Sequence, residues 1–352
     1  MSRFWVNISE TMGLGCLNLT HKNNAIIDTA ISKGIILFDT SDCYGQDYES
    51  EKALGEKLKE HASERKDLIV CTKVGVQFNV NGLNLNGRPD YILASCDASL
   101  MRLQTSYIDI YYLHRVDPEV LFEDSIRAFK RLVDTGKVKK IGLSEVTENQ
   151  IRRAHAIHPI SVVQIEYSPW SRDDENNGVF DTCRELGIQI IAYSPLGRAF
   201  FTDAGDKSYF ETLPEKDFRR LIPRYGKYLD ENLKAKELLK NYASENKMTL
   251  IQLVLAWSIK NNCIPIPEML NSVHLEENSK ARDVFLTDRQ LQEINSILAQ
   301  CQFMGPRYPS REVSGIYPEK ESIPNYNENN LFVAPPVKGE CPLSAHLLNH
   351  TY

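Results

Sequence analysis

The sequence predicts an α/β fold, and within that class a (β/α)8 TIM barrel built as a single domain. Three observations carry this. Eight short, β-branched apolar runs alternate with longer segments of helical spacing, the pattern of parallel βα units. The 352 residues, 42% hydrophobic and 25% charged, suffice for one large core. Three successive runs end on an ionisable side chain: LFD on Asp39, LIVCTK on Lys73 and IYYLH on His114.

The strands are expected near 12–16, 35–39, 68–73, 108–114, 139–144, 162–167, 188–194 and 263–267. Helices are expected near 23–33, 49–62, 89–103, 120–135, 147–157, 175–186, 232–261 and 287–300. The last opens on Thr287 and Asp288 and puts Leu291, Ile294, Ile297 and Leu298 on one face. An open, doubly wound sheet is the structural rival. Its dinucleotide fingerprint is incomplete: Gly13 and Gly15 form a G-x-G, but Asn18 holds the third glycine position. The longest gap between strands, after 194, contains the charged, turn-rich stretch 200–227 and reads as a long loop on the functional face. Periodicity stops near 303. The domain division is therefore a barrel over 1–308 and an irregular C-terminal extension over 309–352.

The net charge of −6 and the lack of a long basic run give no electrostatic footing for nucleic acid or an anionic membrane. The longest apolar run, LIQLVLAWSI from 250, suits a core helix and is too short to span a bilayer. The N-terminus lacks a signal-peptide core. Eight cysteines stand singly, with no CxxC spacing, so neither a metal site nor a disulfide framework is indicated, and a cytoplasmic location is expected.

In a barrel the strand C-termini converge on one face. Asp39, Lys73 and His114 would meet there, with Tyr44 on the loop above. A free phenol, with a pKa of roughly 10, exchanges protons poorly near neutrality. A neighbouring ammonium favours the phenolate, so Lys73 is expected to lower the Tyr44 pKa, with Asp39 as its counter-ion. His114 can orient a carbonyl oxygen. The set suits a proton donor to a developing alkoxide, which suggests carbonyl reduction by a nicotinamide cofactor. Taken singly, each residue also has a structural reading: a turn former, a solvated strand end or a satisfied core histidine.

The segments GLGC (13–16), FDTSDCYG (38–45), CTKVG (71–75), IDIYYLHRVDP (108–118), GKVKKIGLSEV (136–146), VVQIEYSPWSR (162–172) and AYSPLGR (192–198) together resemble the aldo-keto reductase superfamily, in the microbial and fungal branch related to potassium-channel β-subunits. The resemblance implies an oxidoreductase with the catalytic set Asp39, Tyr44, Lys73 and His114, in which Tyr44 is the acid. It implies NADP(H) as cofactor, with NAD(H) the second candidate, and a small carbonyl compound as substrate. Ser144 and Gln164 would hold the carboxamide and Tyr193 would stack on the nicotinamide. Ser194, Pro195, Leu196, Gly197 and Arg198 would wrap the pyrophosphate. Gly15, Cys16 and Asp39 would also border the cofactor, and Glu277 and Asn278 would meet the adenine. The alternative implied is a weakly catalytic redox sensor resembling the channel subunits.

Three departures stand out. The stretch after the last strand reads Pro267, Glu268, Met269, Leu270, Asn271, where the family carries a glycine and a cation for the 2′-phosphate. Weaker discrimination between NADP(H) and NAD(H) is expected, with Arg219, Arg220 and Arg224 as candidates to compensate. The loop after strand one is short, which predicts a more open pocket. The tail beyond 308 is a candidate cover for the barrel mouth or contact for a protein partner. Cys43 and Cys16 lie near the same face and are candidate redox-sensitive thiols.

Overall fold

The computed structural model of the protein describes residues 12–79, 82–301 and 303–309. The expectations for the N-terminus and for the extension from 310 onward lie outside the described residues. Eight parallel strands form one sheet in chain order: β1 (Leu14–Gly15), β2 (Leu37–Asp39), β3 (Ile69–Val74), β6 (Ile108–Leu113), β7 (Val138–Ser144), β8 (Ile160–Glu166), β9 (Gln189–Tyr193) and β10 (Cys263–Pro265). The Gly13 amide donates to the Pro265 carbonyl and the Gly15 amide to that of Pro267, both at 3.0 Å, and Gly15 bridges Glu268. These bonds join the first strand to the last and close the barrel.

The G-x-G pair belongs to this seam. A Cβ on Gly13 would lie 2.5 Å from Leu37 Cδ2, and one on Gly15 would lie 2.8 Å from the Ile266 carbonyl oxygen. Only a residue without a side chain lets the two strands meet there.

Side chains alternate across each strand, and the barrel uses this period of two directly. Leu37, Ile69, Cys71, Ile110, Tyr112, Val162, Ile191, Ile264 and Ile266 pack into one interior cluster. Gly142 makes room for Tyr112, whose ring would lie 2.3 Å from an added Cβ. The outward residues, among them Phe38, Val70, Tyr111 and Val163, join the larger core beneath the helices.

Those helices are α1 (Ile26–Ser32), α2 (Glu49–Glu60), α3 (Pro89–Arg102), α4 (Phe122–Asp134), α5 (Glu148–Ile157), α6 (Val179–Leu186), α7 (Lys207–Glu211), α8 (Leu229–Glu245), α9 (Leu250–Lys260), α10 (Ser272–Ser279) and α11 (Asp288–Gln300). Capping boxes start α5 at Thr147 and Gln150, α9 at Thr249 and Gln252, and α11 at Thr287 and Gln290.

The single helix expected over 232–261 is two helices. Lys247 adopts a left-handed φ of 59°, and Thr249 opens a new capped start two residues later. An antiparallel hairpin, β4 (Val76–Asn79) with β5 (Gly82–Leu85), extends from the C-terminal end of β3 on the site face. It has no counterpart in the expected elements, although the alternation of Val76, Gln77, Phe78 and Asn79 is a strand signal. Among the described residues no helix is long and apolar enough to cross a membrane.

Candidate active site

The site is the top layer of the interior rows. Asp39 follows Leu37 inward on β2, Lys73 follows Cys71 on β3, and His114 continues the Ile110 and Tyr112 row just past β6. Period-two geometry thus carries an apolar interior upward into three ionisable groups. Tyr44 reaches them from the loop after β2. Its amide donates to the Ser41 carbonyl, its carbonyl accepts from Ser50, and Gly45 takes a φ of 75° to turn the chain. An added Cβ on Gly45 would sit 3.0 Å from Glu49 Cβ.

Lys73 is fully buried and its ammonium has three acceptors: Asp39 Oδ1 at 2.5 Å, the Thr40 carbonyl at 2.7 Å and Tyr44 Oη at 3.0 Å. The second Asp39 oxygen accepts from Gln164 Nε2 at 2.8 Å. Tyr44 and His114 meet edge to face, with ring centroids 6.0 Å apart. His114 Nδ1 lies 3.3 Å from Ser41 Oγ and 3.7 Å from Cys43 Sγ.

Burial works against the Lys73 ammonium, but the charge of Asp39 and the Tyr44 phenol outweigh it and raise its pKa. Burial also raises the Asp39 carboxyl, against the pull of Lys73. His114 is held well below its ordinary value by burial, then by the nearby Arg115 and Lys73 cations, so its ring stays neutral.

Tyr44 departs from the sequence-based expectation. Burial pushes its phenol up to about 12, although Lys73 pulls downward. The lysine contact is present as expected, but desolvation of the phenolate is the larger effect. The phenol therefore remains a neutral acid that accepts from Lys73 and keeps its own proton for another acceptor. Its neighbour on the other side is a neutral imidazole with one donor nitrogen. Chemically, such a pair of neutral donors suits an oxygen that acquires negative charge.

The remaining residues suggested by the sequence divide into groups. Ser144, the last residue of β7, sits in register beside Gln164 on β8, and Tyr193 ends β9. Ser144 Oγ accepts from Arg115 Nη1 at 3.1 Å. Residues 194–198 form a tight turn directly after β9, with positive φ at Ser194, Gly197 and Arg198. The Arg198 guanidinium is turned onto Glu166, at 2.8 Å, and onto the Arg307 carbonyl. Glu277 and Asn278 lie on the second turn of α10, and Asn278 is buried.

Gly15 lies in the closing seam. Cys16 is fully buried, with Sγ directed at the Leu14 carbonyl, and burial raises its thiol. That environment corrects its candidacy as a redox-sensitive group.

Glu268 does not stand open to a ligand phosphate. Its two oxygens accept from the Asn18 amide at 2.7 Å and Asn18 Nδ2 at 2.9 Å. The residue that spoils the glycine fingerprint thus clamps the short first loop to the end of β10. The three loop arginines are also engaged. Arg219 pairs with Asp217 and donates to Tyr209 Oη, and Arg220 donates to the Leu213 carbonyl. Arg224 donates to Ser171 Oγ and the Gly305 carbonyl. Among the described residues no group of His, Cys, Asp and Glu is arranged to hold a metal ion.

Sequence reasoning missed a second set on the same face: Arg115, Glu145, Glu166, Arg307 and Tyr308. The Arg307 fork meets both Glu145 oxygens, at 3.1 and 3.0 Å, and Tyr308 Oη lies 3.1 Å from Tyr193 Oη. The available signals were charged residues directly beside strand-end candidates, in YLHR and LSE, and the Arg-Tyr pair in GPRY.

Comparison with known proteins bears on the family and the fold. The model of the aldo/keto reductase family matches residues 11–299. The chain is 39% identical over 310 residues to probable aldo-keto reductase 1 of Glycine max, covering 84% of this chain and 88% of the relative. It is 38% identical over 328 residues to the Schizosaccharomyces pombe aldo-keto reductase yakc, whose name carries NADP(+), covering 89% and 95%. The glycerol dehydrogenase AKR11B4 of Gluconobacter oxydans superposes with a TM-score of 0.75 at 20% identity, over 90% of this chain and 94% of that one, a likeness of fold. The closed parallel barrel, the strand-end residues and the family match lead to one conclusion: the chain belongs to the aldo/keto reductase family.

Proposed function

We propose that the protein reduces an aldehyde or ketone to the alcohol with NADP(H), using Tyr44 as the proton donor. The observation that supports this most is the Lys73 ammonium, which touches both Asp39 and Tyr44 beside a neutral His114.

The residues at the ends of β7 to β9 fit a nicotinamide carboxamide. Gln164 spends its amide nitrogen on Asp39, which leaves its carbonyl oxygen as the acceptor for an NH2 group. Ser144 Oγ accepts from Arg115, which leaves its hydroxyl proton as the donor for a carbonyl. Tyr193 would lie against the ring, and residues 194–198 would border the pyrophosphate. When bound, the cofactor supplies the hydride.

The rest is the work of this chain. His114 donates to the substrate carbonyl and fixes its direction, with Nδ1 accepting from Ser41 or Cys43. Tyr44 gives its proton as the oxygen becomes an alkoxide. Lys73 stabilises the phenolate that remains, and Asp39 keeps Lys73 charged and in place.

The stretch 267–271 has no cation, and Glu268 is held by Asn18, so discrimination for the 2′-phosphate is expected to be weak. The name of the yakc relative favours NADP(H) as the physiological cofactor. A panel of aldehydes and ketones, each tested with NADPH and NADH, checks the reading. Multiple turnover with NADPH and measurable turnover with NADH is expected. Cofactor binding with no more than a single slow turnover across the panel would favour the redox-sensor alternative.

A further inference from the structure

Residues 303–309 cross the C-terminal face of the barrel and are fastened at Phe303, Met304, Gly305, Arg307 and Tyr308. The Phe303 ring packs edge-on against Trp170, Phe200 and Phe201. Met304 exchanges two hydrogen bonds with the Asn232 side chain, at 2.8 and 3.1 Å. Arg224 Nε donates to the Gly305 carbonyl at 2.7 Å. Arg307 then forks onto Glu145, with Glu166 at 3.8 Å and Asp173 at 3.6 Å. Tyr308 ends the run with its hydroxyl against that of Tyr193 and its ring 4.8 Å from the Arg198 guanidinium.

The last two grips, at Arg307 and Tyr308, fall next to residues that the proposed function uses. Glu145 follows Ser144 and holds a φ of 52°, a left-handed conformation that a glutamate keeps only when its surroundings enforce it. Those surroundings are the Arg307 fork, the Glu166 amide donating to Glu145 Oε1, and the Glu145 amide donating to the Gln164 carbonyl. Ser144 and Gln164 are thereby locked to each other through Glu145.

On β9 the turn after Tyr193 has positive φ at Ser194, Arg198 and Ala199. It is kept closed by Arg198 on Glu166 and on the Arg307 carbonyl, with the guanidinium against both the Phe218 and Tyr308 rings. The turn cannot swing outward without breaking these contacts.

We propose that Arg307 and Tyr308 are positioning residues of the dinucleotide site, a strap that sets how long the bound cofactor stays. This rests on the reading above that Ser144, Gln164, Tyr193 and residues 194–198 border that cofactor. The strap acts through its neighbours: Arg307 through Glu145 and Arg198, and Tyr308 through Tyr193. A bidentate guanidinium–carboxylate pair fixes orientation as well as distance, which a lysine at 307 could not reproduce.

The test is stopped-flow release of NADPH from the full-length protein, chased by excess NADP+, in wild type, Arg307→Ala, Arg307→Lys and Tyr308→Phe. Release tenfold faster or more is expected for Arg307→Ala, with Arg307→Lys between it and wild type. Tyr308→Phe, which keeps the ring and loses one hydroxyl, should release a few-fold faster. The KM for NADPH should rise by a larger factor than kcat falls.

A purely structural role would lower the melting temperature while leaving the release rate of folded Tyr308→Phe and Arg307→Lys at the wild-type value, and that result overturns the strap. Wild-type protein that binds NADPH while all variants release it at the same rate defeats the strap alone. Wild-type protein that binds no NADPH defeats the reading of the site as well.

Discussion

On one side of the barrel mouth, Asp39, Lys73 and His114 stand at the ends of β2, β3 and β6 and Tyr44 closes over them, with Lys73 touching both Asp39 and Tyr44. On the other side, Ser144 and Tyr193 end β7 and β9, and Gln164 stands two residues before the end of β8. Gln164 reaches across to Asp39, but the backbone around these residues is held by Glu145, Glu166, Arg198, Arg307 and Tyr308. On the first flank Asp39, Lys73 and His114 lie in interior rows that packing already fixes, and Tyr44 is held by loop bonds to Ser41 and Ser50. The second carries four left-handed non-glycine residues, Glu145, Ser194, Arg198 and Ala199, that need outside support. The proposed chemistry falls on the flank built mainly by strand-end geometry, and the proposed ligand holding on the flank that depends on a distant segment.

The sharpest way to break the comparison is on the first flank. Lys73→Met removes the ammonium and leaves the Asp39 carboxylate buried without its ion partner. Turnover should fall by about 10² to 10⁴, the range for a proton-transfer group. Stability should fall by roughly 3–5 kcal/mol near neutral pH, since breaking a buried pair strands a charge. Burial already pushes Asp39 upward, so it can be protonated in the variant, and the deficit should shrink as pH is lowered. Thermal unfolding of wild type and variant at pH 8 and pH 5 measures this. An equal deficit at both values would show that removing Lys73 does not change the protonation of Asp39 over this range.

A smaller effect sharpens the other flank. Burial opposes the Glu145 carboxylate, but Arg307 and Arg115 outweigh it and lower its pKa to about 2 from the ordinary 4.5. A depressed carboxylate contributes stability that is fully present above its unfolded pKa and is lost as pH falls through the folded one. The contribution is on the order of 3 kcal/mol at about 1.4 per unit. The stability gap between wild type and Glu145→Gln should be constant above pH 5 and close between pH 4.5 and about 2. A gap that persists unchanged at pH 2.5 would place the support for this flank elsewhere than in the Arg307 pair.

The difference between the flanks also explains what the sequence made legible. Asp39, Lys73 and His114 could be read because a β-branched run that ends on a polar residue marks both a strand and its exit point, and eight such runs imply convergence. Tyr44 followed from its nearness to Asp39 in the chain. The roles of Gly13, Gly15, Asn18 and Glu268 could not be read, because they depend on β1 meeting β10 some 250 residues later, and local patterns carry no such pairing.

Arg307 was hidden for the same reason. Its partner Glu145 is 162 residues away, and an arginine in a Pro-rich, aperiodic stretch looks solvated. The Tyr44 phenol was misjudged in direction because burial, which the sequence does not state, exceeds the lysine field that it does suggest.

The central claim is that the neutral Tyr44 phenol, set against Lys73, supplies the proton to the reduced carbonyl. Single-turnover reduction of a reactive aromatic aldehyde by protein preloaded with NADPH, in wild type and Tyr44→Phe, tests it most directly, with NADPH binding measured in the same samples. The account predicts unchanged binding and a turnover rate lower by at least about 10² in the variant. A Tyr44→Phe protein that binds NADPH and reduces the aldehyde within a few-fold of the wild-type rate would contradict it.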